Sequence, residues 1–387
     1  MIESMPELLS AGLLLCVFFG ISYAALRAGI PSLLMIIVVG IIVASALAEN
    51  ETIHFAAEIG LVLLFFILGL DFPLARIMDI SKTIWPAGLL DIVLNLGAPI
   101  VFALAFKLDF LSALVIGGIV YASSSSITAK LLEENKRLAN TETEFILSLL
   151  IFEDLVSPIL VSFLSGMSMG ETLSAGLMLT VLAKIVVLTL GAVIIGYYGF
   201  RKLSDFISVH LEMDFMPLLA VGLALLYAGL AMQLGLSEIL GAFLAGVMLS
   251  ETGKSPELEH LLLPIRDVTL PFFFFWFGTT LVFGESIPLV LLLVILIVWS
   301  IISKILVGVW GGKAFGLSAR ASYRAGFSLI QRGEFSAIIA SMAIPQLRIF
   351  SGIYILISAF VGVYFFQKAP ALSKWVQDKF YPIANRR

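Results

Sequence analysis

The chain has 387 residues, of which 60% are hydrophobic and only 13% are charged, and its formal net charge is −4. Soluble domains carry about 25% charged residues, so this composition excludes a soluble globular protein and predicts a polytopic helical membrane protein. The single cysteine, Cys16, excludes an intrachain disulfide framework and a cysteine-based metal site.

Apolar runs of about 20 residues recur along the whole chain, and each is long enough to cross a bilayer. We predict thirteen spans, at residues 7–26, 30–48, 56–73, 84–106, 111–132, 143–164, 173–200, 215–233, 236–250, 262–282, 287–311, 321–344 and 351–373. One set of loops, counted with the C-terminal tail and with Lys130, Arg266 and Lys368 near the ends of their spans, holds 17 lysines and arginines, whereas the opposite set holds two. Because basic loops stay in the cytoplasm, we expect an outside N-terminus and a cytoplasmic C-terminus.

Polar residues interrupt the fourth, fifth and sixth spans. Asp91 and Asn95 lie four residues apart in the fourth span, on one helix face that is expected to line a polar cavity. The fifth span carries a serine run near its middle, followed by a threonine: Ser123, Ser124, Ser125, Ser126 and Thr128. Serine hydroxyls stabilise unwound backbone, so the run indicates either a broken helix or close packing of small residues.

Two adjacent acids, Glu153 and Asp154, lie near the middle of the sixth span, with Pro158 one turn later. A charged side chain at the bilayer centre costs roughly 3 kcal/mol on insertion scales. Such residues are typical of ion or proton pathways; the alternative is a pair that a neighbour neutralises and that takes no part in transport.

Charged residues return in the eleventh and twelfth spans. Lys304 either snorkels toward the cytoplasmic end of its helix or pairs with Glu153 or Asp154. In the twelfth span, Arg332, Gly333 and Glu334 indicate a second broken helix; the alternative is an Arg–Glu pair that only fixes packing. The fifth and twelfth spans correspond if helices 1–6 and 8–13 form two inverted repeats around helix 7.

These residues together resemble the second family of monovalent cation:proton antiporters, which includes the bacterial Kef-type and Nap-type proteins. The similar strings are Gly60 to Asp71, S-S-S-S-I-T-A-K-L-L-E-E, F-E-D-L, Leu240 to Glu251 and Q-R-G-E-F, in matching order over nearly the whole chain. The resemblance implies an all-α sodium/proton antiporter fold, with helices 5 and 12 crossing, both broken, beside Asp154. Residues 1–80 and 215–283 would form dimerisation helices, 84–165 and 287–373 the ion-transport core, and 173–200 a linking helix.

The resemblance also implies a function in pH homeostasis at the inner membrane: exchange of Na⁺ or K⁺ for protons by alternating access. Asp154 matches the carboxylate for which cation and proton compete, and Lys304 matches the lysine of the eleventh helix. No enzymatic activity, cofactor or nucleic-acid partner is expected, whereas a homodimer is. Kef-type proteins carry a cytoplasmic regulatory domain; here it is absent, lies outside the sequence given, or comes from a separate subunit.

One departure from the family pattern concerns stoichiometry. Glu153 occupies the position where relatives have Gln, Asn or Asp. If Glu153 acts as the second acid, more than one proton crosses per cation and exchange is electrogenic. If Glu153 stays locked to Lys304 or Arg332, exchange is electroneutral.

Three rival functions fit the residues less well. A cation channel would need rings of polar residues along a pore, which the spans lack. A sodium-coupled organic-solute symporter shares crossed helices but does not need an acidic pair with a buried lysine. An intramembrane aspartyl protease needs two aspartates on different helices, whereas Glu153 and Asp154 are neighbours on one helix.

Overall fold

The computed structural model describes residues 7–28, 31–43, 51–73, 84–168, 175–200, 215–281 and 289–380, and these residues form helices and short connections without a strand. The helices are α1 (Glu7–Ala28), α2 (Ser32–Ile42), α3 (Glu51–Leu70), α4 (Ile84–Ala105), α5 (Phe110–Tyr121), α6 (Ser125–Glu134), α7 (Thr143–Ser168), α8 (Ala175–Ile194, continued by a π turn, Ile195–Phe200), α9 (Met216–Gln233), α10 (Glu238–Ser250), α11 (Ser255–Thr279), α12 (Val290–Phe315), α13 (Ala319–Phe327), α14 (Glu334–Ser341) and α15 (Pro345–Phe380). The all-helical fold class is therefore confirmed.

Nine helices in the described part of the chain are long and apolar enough to cross a membrane. Three shorter apolar helices, α2, α5 and α10, accompany them. Each predicted span coincides with one helix or with a pair of shorter helices, although several boundaries differ. The tenth span begins earlier than predicted, at Ser255, and the last helix runs on to Phe380. The ends of the second, seventh, tenth and eleventh predicted spans include residues outside the described ranges.

The fifth and twelfth spans are broken, as predicted. α5 ends at Tyr121 and α6 begins at Ser125, with three non-helical residues between them. α13 ends at Phe327 and α14 begins at Glu334, with six non-helical residues between them. Both breaks fall at the polar residues whose side chains were expected to compete for backbone hydrogen bonds.

The described residues contain three π-helical turns, none of them predicted, and two of these lie near polar residues of the spans. Ile92–Gly97 forms a π turn within α4, and Val307–Gly311 forms one within α12. Such turns often occur at functional sites. The turn in α4 contains Asn95, and the turn in α12 begins three residues after Lys304.

The chain folds as two compact units. Unit 1 comprises Met1–Ile77 and Val161–Val282, and unit 2 comprises Met78–Leu160 and Phe283–Arg387. In unit 1, glycines let helix backbones approach closely: a Cβ at Gly246 of α10 would lie 2.1 Å from the Phe66 carbonyl oxygen of α3. Gly40 of α2 and Gly278 of α11 meet in the same way. Small residues at such contacts are typical of helices packed in membranes.

Unit 2 has an apolar core on one side of α7, where Phe145 and Leu149 pack with Leu132 of α6 and Phe366 of α15. Unit 2 also contains a set of buried polar and charged side chains, which lie on α4, α7, α12 and the two broken helices. Because a buried charge is costly unless it is paired, the arrangement of this set is decisive for function.

Candidate functional site

The two broken helices meet at their non-helical segments. The Ser124 backbone N–H donates to the Gln331 carbonyl oxygen at 2.9 Å, and the Ser123 hydroxyl donates to the Leu329 carbonyl oxygen at 2.8 Å. Gly333 makes this approach possible, since a Cβ there would lie 2.4 Å from the Ser124 Oγ. The predicted crossing of two broken helices is therefore confirmed.

Ser124 links the two breaks to a carboxylate. Its Oγ accepts from the Ile127 N–H at 3.3 Å, as an N-cap of α6, and it also donates to Glu334 Oε2 at 2.7 Å. Glu334 is the first residue of α14, where a negative charge interacts favourably with the helix dipole. The hydroxyl group of Ser124 thus connects the N-terminus of α6 to the N-terminus of α14 by a hydrogen bond.

Glu153 and Asp154 are both buried on α7, but they have different partners. Glu153 Oε2 accepts a short hydrogen bond from the Ser123 backbone N–H. Both oxygens of Asp154 lie 2.8 Å from the Ser125 Oγ, at the first residue of α6. Pro158 has no N–H to donate to the Asp154 carbonyl oxygen, so the helix ladder is interrupted beside the acids.

Lys304 lies between two carboxylates and is fully buried. Its Nζ is 2.9 Å from Glu153 Oε1 and 2.7 Å from Asp91 Oδ1. Snorkelling is excluded as the explanation of this lysine, because a snorkelling ammonium group would reach water. The contact with Glu153 was one of those expected from the sequence, whereas the contact with Asp91 was not.

A second cation completes the polar network. Arg332 donates to Asn95 Oδ1 at 3.1 Å and to the Ser123 Oγ at 3.3 Å. Asn95 in turn donates to Asp91 Oδ1 at 2.9 Å and accepts from the Ser303 hydroxyl at 2.7 Å. The π turn of α4 therefore places Asn95 where it connects Arg332 to the aspartate that contacts Lys304.

Thr128 belongs to the same crossing, since its Oγ1 accepts a short hydrogen bond from the Gln331 side chain. The structure thus brings together all the predicted site residues except Ser126, whose side chain lies outside the described part. Two groups were missed. Tyr121, directly before the first break, is fully buried, and Glu142 forms a separate buried cluster with Arg137 and Arg324.

The composition of the site suits a hard monovalent cation. Among the described residues, four buried carboxyl groups, from Asp91, Glu153, Asp154 and Glu334, accompany two buried cations, Lys304 and Arg332. Carboxylate and hydroxyl oxygens are ligands of hard cations. Within the described residues, no group of three or more His, Cys, Asp or Glu side chains is arranged to hold a metal ion.

Comparisons with known proteins agree with this geometry. The family model described as "Sodium/hydrogen exchanger, transmembrane" matches residues 13–368. The chain is 49% identical over 376 residues to the ammonium/H⁺ antiporter subunit AmhT of Alkalihalophilus pseudofirmus, covering 97% of this chain and 95% of that protein. It is 33% identical over 334 residues to the K⁺/H⁺ antiporter subunit KhtU of Bacillus subtilis, covering 84% and 81%.

The fold is also similar to that of a solved structure. The sodium/proton antiporter MjNhaP1 from Methanocaldococcus jannaschii superposes with a TM-score of 0.69 at 15% identity, covering 95% of this chain and 99% of that one. At this identity the likeness shows the fold, whereas the family model and the 49% identical relative show the family. The chain belongs to the sodium/hydrogen exchanger family of membrane proteins.

Proposed function

We propose that this protein is a secondary antiporter that exchanges a monovalent cation for protons, with Asp154 binding cation and proton in turn. The observation that carries the proposal is the position of this carboxylate. Asp154 is 4% exposed and lies against Ser125, at the point where two broken helices cross. Its ionised form attracts a cation, and protonation removes the charge that holds it.

The partners of the neighbouring acid support this role. Lys304 contacts Asp91 and Glu153, so its positive charge is matched by carboxylates other than Asp154. Ser125 presents a neutral hydroxyl to Asp154, and a hydroxyl oxygen can equally coordinate a cation.

Alternating access then requires the site to open to one side of the membrane at a time. We propose that the helices of unit 2 form the transport core, that α1–α3 and α9–α11 of unit 1 form the dimerisation helices, and that α8 is the linking helix.

The identity of the cation is part of the proposal. Na⁺ and K⁺ are expected from the sequence. The names of the relatives add a third candidate, since the 49% identical relative is named for ammonium and the 33% identical one for K⁺. Ammonium donates hydrogen bonds, and a site built of carboxylate and hydroxyl oxygens accepts them. We therefore propose ammonium as the first cation to test, followed by K⁺ and Na⁺.

The test is proton flux in proteoliposomes that contain a trapped pH dye and receive ammonium, K⁺ or Na⁺ from outside. Asp154→Asn should reduce cation-dependent proton flux to the level of protein-free liposomes, because the amide cannot alternate between a charged and a neutral form. Since ammonia itself crosses bilayers, protein-free liposomes supply the baseline for ammonium.

The matched control is Asp109→Asn. Asp109 is the exposed N-cap of α5 and accepts from the Ser112 N–H at 3.0 Å. Asparagine caps helices as well as aspartate does, so this variant should fold and transport like the wild type. Substantial cation-dependent flux in Asp154→Asn would refute the assignment.

The setting of the protein is also proposed. We expect a homodimer in the cytoplasmic membrane, with the N-terminus outside, the C-terminus in the cytoplasm, and a separate regulatory subunit. The last expectation is supported by the names of AmhT and KhtU, which are both called antiporter subunits. Mass photometry in nanodiscs tests the dimer, reporter fusions to each terminus test the orientation, and co-purification from the native membrane tests the subunit. A monomer, inverted reporter signals or purification without a partner would each contradict the corresponding expectation.

A further inference from the structure

Tyr121 is a buried polar side chain to which the network described above assigns no hydrogen bond. It is the last residue of α5, directly before the first break, and its side chain is 0% exposed. Its hydroxyl group forms no hydrogen bond with any described residue. A buried hydroxyl without a partner destabilises a fold, so its presence needs a reason other than stability.

The surroundings of this hydroxyl supply the reason. Two residues further along the chain, the Ser123 backbone N–H binds Glu153. Asp91, Glu153 and Asp154 are all near enough to Tyr121 to act on its hydroxyl electrostatically. Of these groups, Asp91 also has an oxygen, Oδ2, without a hydrogen-bond partner among the described residues. Buried oxygens that lack protein donors, beside carboxylates, form a suitable environment for a positive ion.

A second buried tyrosine of unit 2 provides the contrast. Tyr354 of α15 is also 0% exposed, but its hydroxyl lies 2.5 Å from the Ser300 Oγ. Because Ser300 donates its own proton to the Leu296 carbonyl oxygen, Tyr354 is the donor to Ser300. The Tyr354 hydroxyl therefore has a structural role, whereas no such role accounts for the hydroxyl of Tyr121.

We propose that the Tyr121 hydroxyl oxygen is a ligand of the transported cation, in addition to the carboxylate of Asp154. The assignment rests on the proposed antiport function and names a further binding residue within it. A phenol oxygen has lone pairs for Na⁺ or K⁺ and accepts a hydrogen bond from ammonium. Loss of this oxygen should weaken cation binding without loss of packing.

The test compares Tyr121→Phe with Tyr354→Phe, since each substitution removes one oxygen and keeps the aromatic ring. We expect Tyr121→Phe to raise the KM for the cation about tenfold, equivalent to 1.4 kcal/mol. Its maximal rate and Tm should equal or exceed those of the wild type. Tyr354→Phe should lower the Tm and leave the KM unchanged.

Measurement at two pH values separates a ligand from an indirect effect on Asp154. If Tyr121 only altered proton competition at Asp154, the difference in KM would disappear at high pH, where protons no longer compete. A ligand's effect persists at both pH values. The proposal is overturned if the KM of Tyr121→Phe stays within twofold of the wild type, or if the difference disappears at high pH.

The proposed function and the ligand assignment fail in different ways. A wild-type protein without cation-dependent proton flux would overturn both. Wild-type flux that depends on Asp154, together with an unchanged KM in Tyr121→Phe, would overturn only the ligand assignment. Cation-induced thermal stabilisation in detergent provides a second readout of binding, and it should be weaker in Tyr121→Phe at equal cation concentration.

Discussion

The two units of this protein differ in the contacts that stabilise each of them internally. Unit 1 packs helix backbones directly on one another through glycines, as at Gly69 and Gly246, and its buried side chains are mainly apolar. Unit 2 also has close glycine contacts, as at Gly308 and Gly326, but it adds a network of buried charges centred on Lys304, with acids on α4 and α7. Backbone contact through glycine permits little adjustment, whereas hydrogen-bonded charges can exchange partners. This difference supports the proposal that unit 2 forms the transport core.

The largest effect on stability is expected at the centre of the network. Lys304→Met removes the cation that two buried carboxylates share. Removing one partner of a buried ion pair costs about 3–5 kcal/mol, and here both Asp91 and Glu153 lose their contact. We expect a large fall in Tm in detergent, measured by intrinsic fluorescence, together with loss of transport.

Lys184→Met is the control for that experiment. Lys184 lies on α8 in unit 1, half-buried beside a cavity of about 410 Å³, and no described acid pairs with it. Its replacement should change stability by no more than about 0.5 kcal/mol. Equal losses in the two lysine variants would show that the difference between the units is not one of buried charge.

A smaller effect is expected from overpacking unit 1. At Gly246, the added methyl group of Ala would meet the Phe66 carbonyl oxygen and the Gly69 Cα, at 2.1 and 2.8 Å. Overpacking costs about 1–3 kcal/mol, so Gly246→Ala should lower the Tm. Folded protein should keep the wild-type KM, because the site residues lie in unit 2.

Gly222→Ala is the matched control, since Gly222 lies within α9 and a Cβ there has no neighbour within 4 Å. Alanine is favoured over glycine in a helix by about 1 kcal/mol, so this variant should be as stable as the wild type or more so. A stable Gly246→Ala protein would refute the rigid packing described for unit 1.

The smallest effect concerns charge movement through unit 2. Because Asp91 also contacts Lys304, Glu153 can release the lysine without leaving it unpaired. We therefore expect Glu153 to act as the second acid of the transport cycle, so that a net charge moves and a membrane potential of 100 mV contributes about 2.3 kcal/mol per charge. In proteoliposomes with Na⁺ as the test cation, a potential set by valinomycin should change the wild-type rate, and Glu153→Gln should remove that dependence.

The same substitution distinguishes two views of Lys304. From the sequence alone, loss of Glu153 would leave the lysine without a partner. In the structure Asp91 remains, so Glu153→Gln should lower the Tm less than Lys304→Met does. A wild-type rate that ignores the potential would show that Glu153 stays locked to Lys304 and that exchange is electroneutral.

Much of the site could be predicted because a membrane protein makes buried charge conspicuous. Glu153 and Asp154, Lys304 and Arg332 interrupt runs that are otherwise apolar. In lipid such residues are costly, so their presence in a span already indicates a shared polar site. Tyr121 had no comparable signal, since tyrosine is frequent in apolar spans and only the absence of a partner for its hydroxyl distinguishes it.

The cluster of Arg137, Glu142 and Arg324 was missed for a related reason. In the sequence, Arg137 and Glu142 read as residues of a loop between two spans, where charges are ordinary. In the structure Glu142 is fully buried and Arg137 packs on the Phe366 ring, 4.5 Å from its centroid. Burial of a connecting segment depends on what packs over it, which hydropathy does not report.

The sequence by itself determined the fold class, the order of the spans and the two breaks, because apolar length and local competition for backbone hydrogen bonds act along the chain. Only the tertiary structure decided which charges pair. Asp91 and Glu153 are 62 residues apart, yet they meet at Lys304 because α4, α7 and α12 come together there. Pairing depends on distances of about 3 Å between helices, and those distances follow from packing that the sequence pattern leaves open.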